Sequence, residues 1–165
     1  VVKEETSVER MLISGVALDR NTARISVIGL KDEPGIAFRL FNMLAKEGIN
    51  VDVILQSIGR ENSKDISFTV SRDEADQAVK IIEANPARIG CNNISCNKEV
   101  VKVSIVGAGM MSNPGVAAKM FEALFNENIN INMISTSEIR ITVLINEKDA
   151  ERAVNAVHDA FGLEE

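Results

Sequence analysis

The sequence predicts an α+β fold: two βαββαβ repeats in tandem, antiparallel sheets with helices on one face, the first unit inserted into the second. Three observations lead there. Apolar residues switch repeatedly between a period of two, the mark of a half-buried strand, and a period near 3.6, the mark of an amphipathic helix. The pattern recurs 80 positions on, Pro34-Gly35 returning as Pro114-Gly115. The second copy also runs out after its second helix, with only Phe161 to Glu165 where a fourth strand is due, while a strand at the start of the chain has no place in the first copy. That N-terminal strand is expected to complete the second sheet. Residues 1–22 are then a lead-in plus strand, 23–97 the first unit and 98–165 the second.

Val1 to Val8 is mixed and charged, and reads as a frayed lead-in. Leu12 to Leu18 reads as a strand, Asp19-Arg20-Asn21-Thr22 as a turn, and Ala23 to Leu30 as the second arm of a hairpin. From Gly35 the period changes, with Ile36, Ala37, Leu40, Phe41 and Leu44 on one helical face. Gly48 is expected to stop that helix in a left-handed conformation. Ile49 to Ser57 reads as a strand, Gly59 to Asp65 as a polar loop, and Ile66, Phe68 and Val70 as the next strand. Ser71-Arg72-Asp73-Glu74 has capping-box spacing before a helix carrying Ala75, Ala78, Val79 and Ile82. Pro86 is expected to end it, and Ile89 to Cys96 to supply the fourth strand.

The second copy follows the same order. Val101, Val103 and Ile105 lead to Gly107, and Val116, Ala117, Met120, Phe121 and Leu124 repeat the helix face. Asn128 stands where Gly48 stood. Asparagine also tolerates the left-handed region, so the helix stop is kept by chemistry without identity. Ile129-Asn130-Ile131 repeats Ile49-Asn50-Val51, and Ile141, Val143 and Ile145 match Ile66, Phe68 and Val70 after a loop five residues shorter. Asn146 and Asp149 take the place of the capping pair, ahead of Ala150, Ala153, Val154 and Val157.

Composition excludes several functions. At 165 residues and 45% hydrophobic content the chain can bury one core or two small ones. A net charge of −6 without any basic run argues against nucleic acid or an anionic membrane as partner. No apolar stretch reaches 18 residues and no leader pattern opens the chain, so the cytosol is the expected location. Cys91 and Cys96 are too few for a zinc site and read as reduced thiols. Only one histidine, His158, is present, so no Ser-His-Asp group assembles around it, and it is expected to be exposed, with partial burial the alternative its spacing from Val154 and Val157 allows. Val106-Gly107-Ala108-Gly109 has the start of a dinucleotide fingerprint, but Ser112 holds the third glycine position and Pro114 delays the helix. No phosphate-cradling glycine-lysine loop is present, and neither a cofactor nor a catalytic site is expected in this chain.

The chemistry concentrates at Asp32-Glu33-Pro34-Gly35 and its echo Ser112-Asn113-Pro114-Gly115. Proline fits the first helical position, and the Cβ-free glycine behind it lets a ligand approach the unpaired N–H groups of the helix start. A duplicated βαββαβ unit with a Pro-Gly loop at each first strand-to-helix junction resembles the ACT family of amino-acid-sensing domains, which are ferredoxin-like. NVDVILQ (Asn50 to Gln56), VSIVGAGMMSNPG (Val103 to Gly115) and ISTSEIRI (Ile134 to Ile141) are similar to the regulatory region of aspartate kinases.

The resemblance covers nearly the whole chain from Met11. It implies a paired-ACT regulatory region or small subunit that binds lysine, threonine or both and restrains phosphorylation of aspartate by a catalytic kinase domain or subunit. It further implies a homodimer through ACT units, with effectors held where units of two chains meet. The ligand carboxylate would then accept from Ile36 and Ala37 behind Gly35. Asp32 would hold the ammonium, and Gln56 would add an amide. In the second copy the acid is missing, and the resemblance implies contacts from Asn113, Pro114, Val116, Asn130, Ile131, Asn132 and the run Ser135, Thr136, Ser137 and Glu138. On residue chemistry alone Asp32 could equally cap a turn, and the Ser135–Glu138 run could be a hairpin turn. Two alternatives have other signatures: an ACT dimerisation module without effector, and a small nucleotide-binding enzyme using Gly107 to Gly109.

Overall fold

The first described strand, β1, runs unbroken from Gly15 to Lys31, straight through the tetrad that composition reads as a hairpin turn. The expected hairpin is absent because tertiary partners take the polar groups that would close it. Asp19 reaches Lys102 at 3.6 Å, and Asn21 donates to the Ser71 hydroxyl (2.9 Å) while accepting from the Arg72 N–H (3.0 Å). Thr22 is fully buried. A computed structural model of the chain describes residues 15–58, 61–107 and 115–162. The N-terminal lead-in and Leu12 to Ser14 therefore lie outside the described residues.

After β1 come α1 (Ile36–Lys46), β2 (Ile54–Ile58), β3 (Ser63–Val70), a 3-10 turn (Arg72–Glu74), α2 (Ala75–Glu83) and the short α3 (Pro86–Ile89). They are followed by β4 (Asn93–Val106), α4 (Gly115–Asn126), β5 (Ile131–Thr136), β6 (Arg140–Asn146), a second 3-10 turn (Glu147–Asp149) and α5 (Ala150–Ala160). The chain divides into two compact units: Asn21–Lys98, and the chain from Glu99 onward together with the segment ending at Arg20. β1 and β4 each run through both. In the first unit the strand order is β2-β3-β1-β4, and in the second it is β1-β4-β6-β5. β1 with β3, β2 with β3, β4 with β6 and β5 with β6 all pair antiparallel.

Alternation along each strand sends one set of side chains toward the helices. In the first unit Ala23, Ile25, Val27, Ile66, Phe68 and Val70 meet Ile36, Leu40, Leu44, Ala78 and Ile82 in one buried cluster. The second unit builds its counterpart from Val101, Val103, Ile105, Ile141, Val143 and Ile145 with Val116, Met120, Leu124, Ala153 and Val157. Val16 and Leu18, from the opening strand, pack against this second core, so β1 contributes to the second unit as well as the first.

Both first helices end in the same hydrogen-bonded stop. Gly48 N–H donates to the Ala45 carbonyl and Ile49 N–H to that of Leu44, both at 3.0 Å. In the second copy Asn128 donates to Phe125 (2.9 Å) and Ile129 to Leu124 (3.0 Å), with Asn128 left-handed at φ 56°. The helix starts differ from expectation. α1 begins at Ile36 with Gly35 as its N-cap, so Pro34 precedes the helix instead of occupying its first position. Neither capping box forms: Ser71 makes no side-chain cap and neither does Asn146. Ser71 accepts from Asn21, and Asn146 Oδ1 accepts from Asn132 Nδ2 at 3.2 Å. Pro86 opens α3 after α2 has already ended at Glu83. The fourth strand starts only at Asn93 and merges with the strand expected from Val101, giving β4.

The β2 strand is shorter than its sequence pattern, since residues 50–53 are not in regular strand. Val53 N–H donates to the Thr69 hydroxyl at 3.0 Å, while Asp52 N–H donates to the Thr69 carbonyl. A threonine side chain thus takes one of the ladder positions. All five residues of β2, an edge strand of the described sheet, are exposed.

One irregularity sets the first unit apart. Val27 pairs with Ile66 and Leu30 with Lys64, so Ile28 and Gly29 together oppose Asp65. This two-against-one count is a β-bulge. Gly29 N–H donates to Asp65 Oδ1 (2.9 Å) and the Ile28 carbonyl accepts from the Asn92 N–H (2.8 Å). Gly29 has φ 76°, and a Cβ there would lie 2.3 Å from Asn92 Nδ2 and 2.9 Å from its Cβ. Gly29→Ala is therefore expected to cost about 2–4 kcal/mol of stability in urea unfolding, left-handed strain adding to overpacking. Asn92→Gly in the same chain should recover the packing share alone, and full recovery would show that backbone strain is negligible there.

Candidate functional site

β1 and β2 both lie antiparallel to β3, so their C-terminal ends and the start of α1 lie at one end of the first unit. The loop from Asp32 to Gly35 is built there. Gly35 has φ 89° and ψ −5° behind Pro34, and Ile36 N–H reaches the Glu33 carbonyl at 3.4 Å. Proline second, a positive-φ glycine third and a bond from fourth to first residue define a type II turn. The turn consumes the Ile36 N–H. Arg39 N–H donates to the Gly35 carbonyl (2.9 Å) as the first helical bond, and helix geometry gives Ala37 and Phe38 no acceptor inside α1. Ala37 is half-buried and Ile36 buried, while Gly35 is exposed, with open space where a Cβ would stand.

Asp32 is anchored through its backbone, its N–H donating to the Asn62 carbonyl at 2.8 Å. Its carboxylate is 47% exposed and lies 3.5 Å from Lys64 Nζ, whose side chain is only 11% exposed. Register explains this contact. Lys64 pairs with Leu30 on one side and Ile58 on the other, so all three share the helix-facing side of the sheet at its last row. From there a buried lysine stem brings its ammonium under the loop. Glu33, the next acid, is paired with Arg39 at 2.7 Å. Gln56 pairs with Ile66 one row further in on the same face and is exposed. The first unit thus gathers Asp32, Gly35, Ile36, Ala37 and Gln56 at one end of one face.

The second unit does not gather its set in this way. β5 runs parallel to β4, which puts the end of β5 at the same end of the unit as the start of α4, where Val116 is buried. Asn130, Ile131 and Asn132 lie at the far end of β5, about 20 Å away for six residues of strand. Asn132 is the extra residue of an irregularity between Ile131 and Met133, with its amide on Asn146. Thr136 pairs with Ile141 and so occupies the register position that Gln56 holds opposite Ile66. Ser137 N–H donates to the Arg140 carbonyl (2.8 Å), closing a β5–β6 hairpin around Glu138 and Ile139. Asn113 and Pro114, with Ser112 and the two methionines before it, lie outside the described residues. Gly107, by contrast, is buried and donates its N–H to the Ile139 carbonyl at 2.8 Å.

Sequence reasoning missed Lys64, Asn62 and Asp65. Only strand register could reveal them, since each acts through a residue more than 25 positions away in the chain. His158 is half-buried on α5, the alternative that its spacing from Val154 and Val157 allows. Burial raises both cysteine thiols above their ordinary range, the larger cause in each case being desolvation. Cys91 helps line a groove of about 270 Å³ with Ile82, Glu83, Pro86, Asn92, Asn93 and Ile94, none of them among the predicted site residues. Among the described residues no cluster of His, Cys, Asp or Glu could hold a metal ion, and no helix is long and apolar enough to cross a membrane.

The ACT domain family matches residues 25–85 and 103–161. Aspartate kinase of Pseudomonas fluorescens is 45% identical over 163 residues, which is 99% of this chain and 40% of that protein. The chain thus spans about two-fifths of the length of such relatives. The crystal structure of the regulatory subunit of aspartate kinase from Thermus thermophilus, in its ligand-free form, superposes with a TM-score of 0.85 at 45% identity. The match covers 91% of this chain and 99% of that one. A chain from the crystal structure of aspartokinase alpha and beta subunits matches equally well, with a TM-score of 0.85, 45% identity, and 92% and 99% of the two chains covered.

Proposed function

The chain belongs to the ACT-domain family, as the paired units of an aspartokinase regulatory region, and from that premise we propose that it senses lysine or threonine for an aspartate kinase in the cytosol. The observation that carries the proposal is the Asp32–Gly35 loop. It joins an exposed carboxylate, a type II turn and first-turn N–H groups of α1 at one end of the first unit. An α-amino acid offers the matching pair of charges. Its carboxylate takes the Ala37 and Phe38 N–H groups with the helix dipole behind them, and its ammonium takes Asp32. Gln56 supplies a donor and acceptor for a short polar side chain.

Every polar member of this set is open to solvent, so a second surface is needed to enclose a ligand. A homodimer supplies one. Phe38 (71% exposed) lies on the first turn of α1, and Ile58 (83%), Ile54 and Leu55 are exposed on β2, an edge strand of the described sheet. An apolar, one-sided edge is a surface that pairing covers. Effector binding acts on the catalytic partner only to the extent that it favours one arrangement of the paired units over another. The likeness to a chain of the aspartokinase alpha and beta subunit structure supports such a partner.

Titration calorimetry with lysine, threonine and a panel of other amino acids tests the proposal. Binding in the micromolar to millimolar range is expected, roughly 4–8 kcal/mol. A dimer that gives no heat with any amino acid, with or without the catalytic partner, would reduce the chain to a dimerisation module.

A further inference from the structure

We propose that Lys64 is a charge filter for the effector site: it balances Asp32 so that the loop accepts an amino acid with an uncharged side chain and discriminates against one carrying a second positive charge. The inference rests on the effector reading above and concerns which class of amino acid that site prefers.

Lys64 is held in place by its strand. It faces the helices between Leu30, which is fully buried, and Ile58, and its side chain is almost entirely enclosed. The ammonium therefore has little freedom to leave, whereas Asp32, about half exposed, presents its remaining surface to solvent. An incoming α-ammonium can share that carboxylate from the open side. Both acids of the loop already face a base, Asp32 facing Lys64 and Glu33 facing Arg39. Asp65, beside Lys64 in the sequence, accepts the bulge N–H of Gly29. The two acids of the loop and the two bases facing them sum to zero charge before any ligand arrives.

A zwitterion with a neutral side chain leaves that balance intact. A cationic side chain does not: with its α-ammonium on Asp32, 3.5 Å from the Lys64 ammonium, its second charge is held no further from Lys64 than the reach of one side chain. Both kinds of ligand carry the same α-ammonium, so the effect of Lys64 on that group cancels in the ratio of their affinities. What remains in the ratio is the repulsion of the second charge.

The decisive measurement is calorimetry on the full-length protein, with threonine as the neutral probe and lysine as the cationic one, competition being used where lysine is weak. Lys64→Met should raise the lysine-to-threonine affinity ratio by roughly tenfold, for unit charges several ångström apart near a surface. Lys64→Arg should leave the ratio as in wild type, and the change in Lys64→Met should shrink in about 0.5 M salt. Lys64→Gln serves the same purpose if the methionine variant does not fold. A ratio that stays constant or falls when the charge is removed overturns the filter while leaving the effector site standing. Wild-type protein that binds neither amino acid overturns the effector reading and the filter together.

Discussion

Asp32→Asn is expected to weaken amino-acid effector binding by roughly ten- to hundredfold, the value of one charge-assisted hydrogen bond of about 1.5–3 kcal/mol. Asparagine keeps the size and the backbone anchor to Asn62, and removes only the charge that an α-ammonium would meet. The fold should survive, since Asp32 is about half exposed and asparagine keeps an amide oxygen to which the Lys64 ammonium can donate. Glu33→Gln is the matched control. That acid is turned toward Arg39, so its loss should leave effector affinity near wild type. Calorimetry on both variants decides the matter: equal losses would mean that the loop acts through its overall field, and no loss in Asp32→Asn would remove Asp32 from the site.

Phe68→Ala should cost about 3–5 kcal/mol of stability in urea unfolding. Phe68 has no exposed surface, and its neighbours on β1 and β2 are Ile25 and Ile54. It meets Phe41 of α1 edge-on, with ring centroids 5.5 Å apart and planes at 80°, so its removal empties the contact between the sheet and the helix that carries the effector loop. The aromatic pair accounts for about 0.5–1.5 kcal/mol of the loss. The Asp32 loop sits at the start of the same helix, so effector affinity should fall with stability in this variant. In Phe41→Leu both effects should be smaller. A cost below about 1.5 kcal/mol for Phe68→Ala would mean that the surrounding side chains collapse into the space.

How far the site could be read from sequence differs between the two copies for a physical reason. Asp32, Gly35, Ala37 and Gln56 follow from a local pattern, a Pro-Gly turn after one strand and an amide on the next, and the parallel course of β1 and β2 brings them together. Asn130 to Asn132 and Ser135 to Glu138 also look like one polar cluster in sequence. Extended chain separates them by the length of β5, and β5 adds an irregularity at Asn132. The capping boxes failed similarly. Serine and asparagine at those positions have the right spacing, but Ser71 and Asn146 find partners across the fold that outcompete the backbone N–H groups.

The repeat, the amphipathic helices, the paired helix stops at Gly48 and Asn128 and the Pro-Gly loop all follow from the order of residues alone, because each depends on side-chain period or on the backbone freedom of one residue. The same order shows an opening strand that the first repeat does not use. Tertiary packing was needed to carry β1 straight through the expected Asp19–Thr22 turn, to merge two expected strands into β4, to bulge Gly29 against Asp65, and to set Lys64 beneath Asp32. Those features depend on register between strands distant in the chain, where the choice is made by burial and by partners that no local window contains.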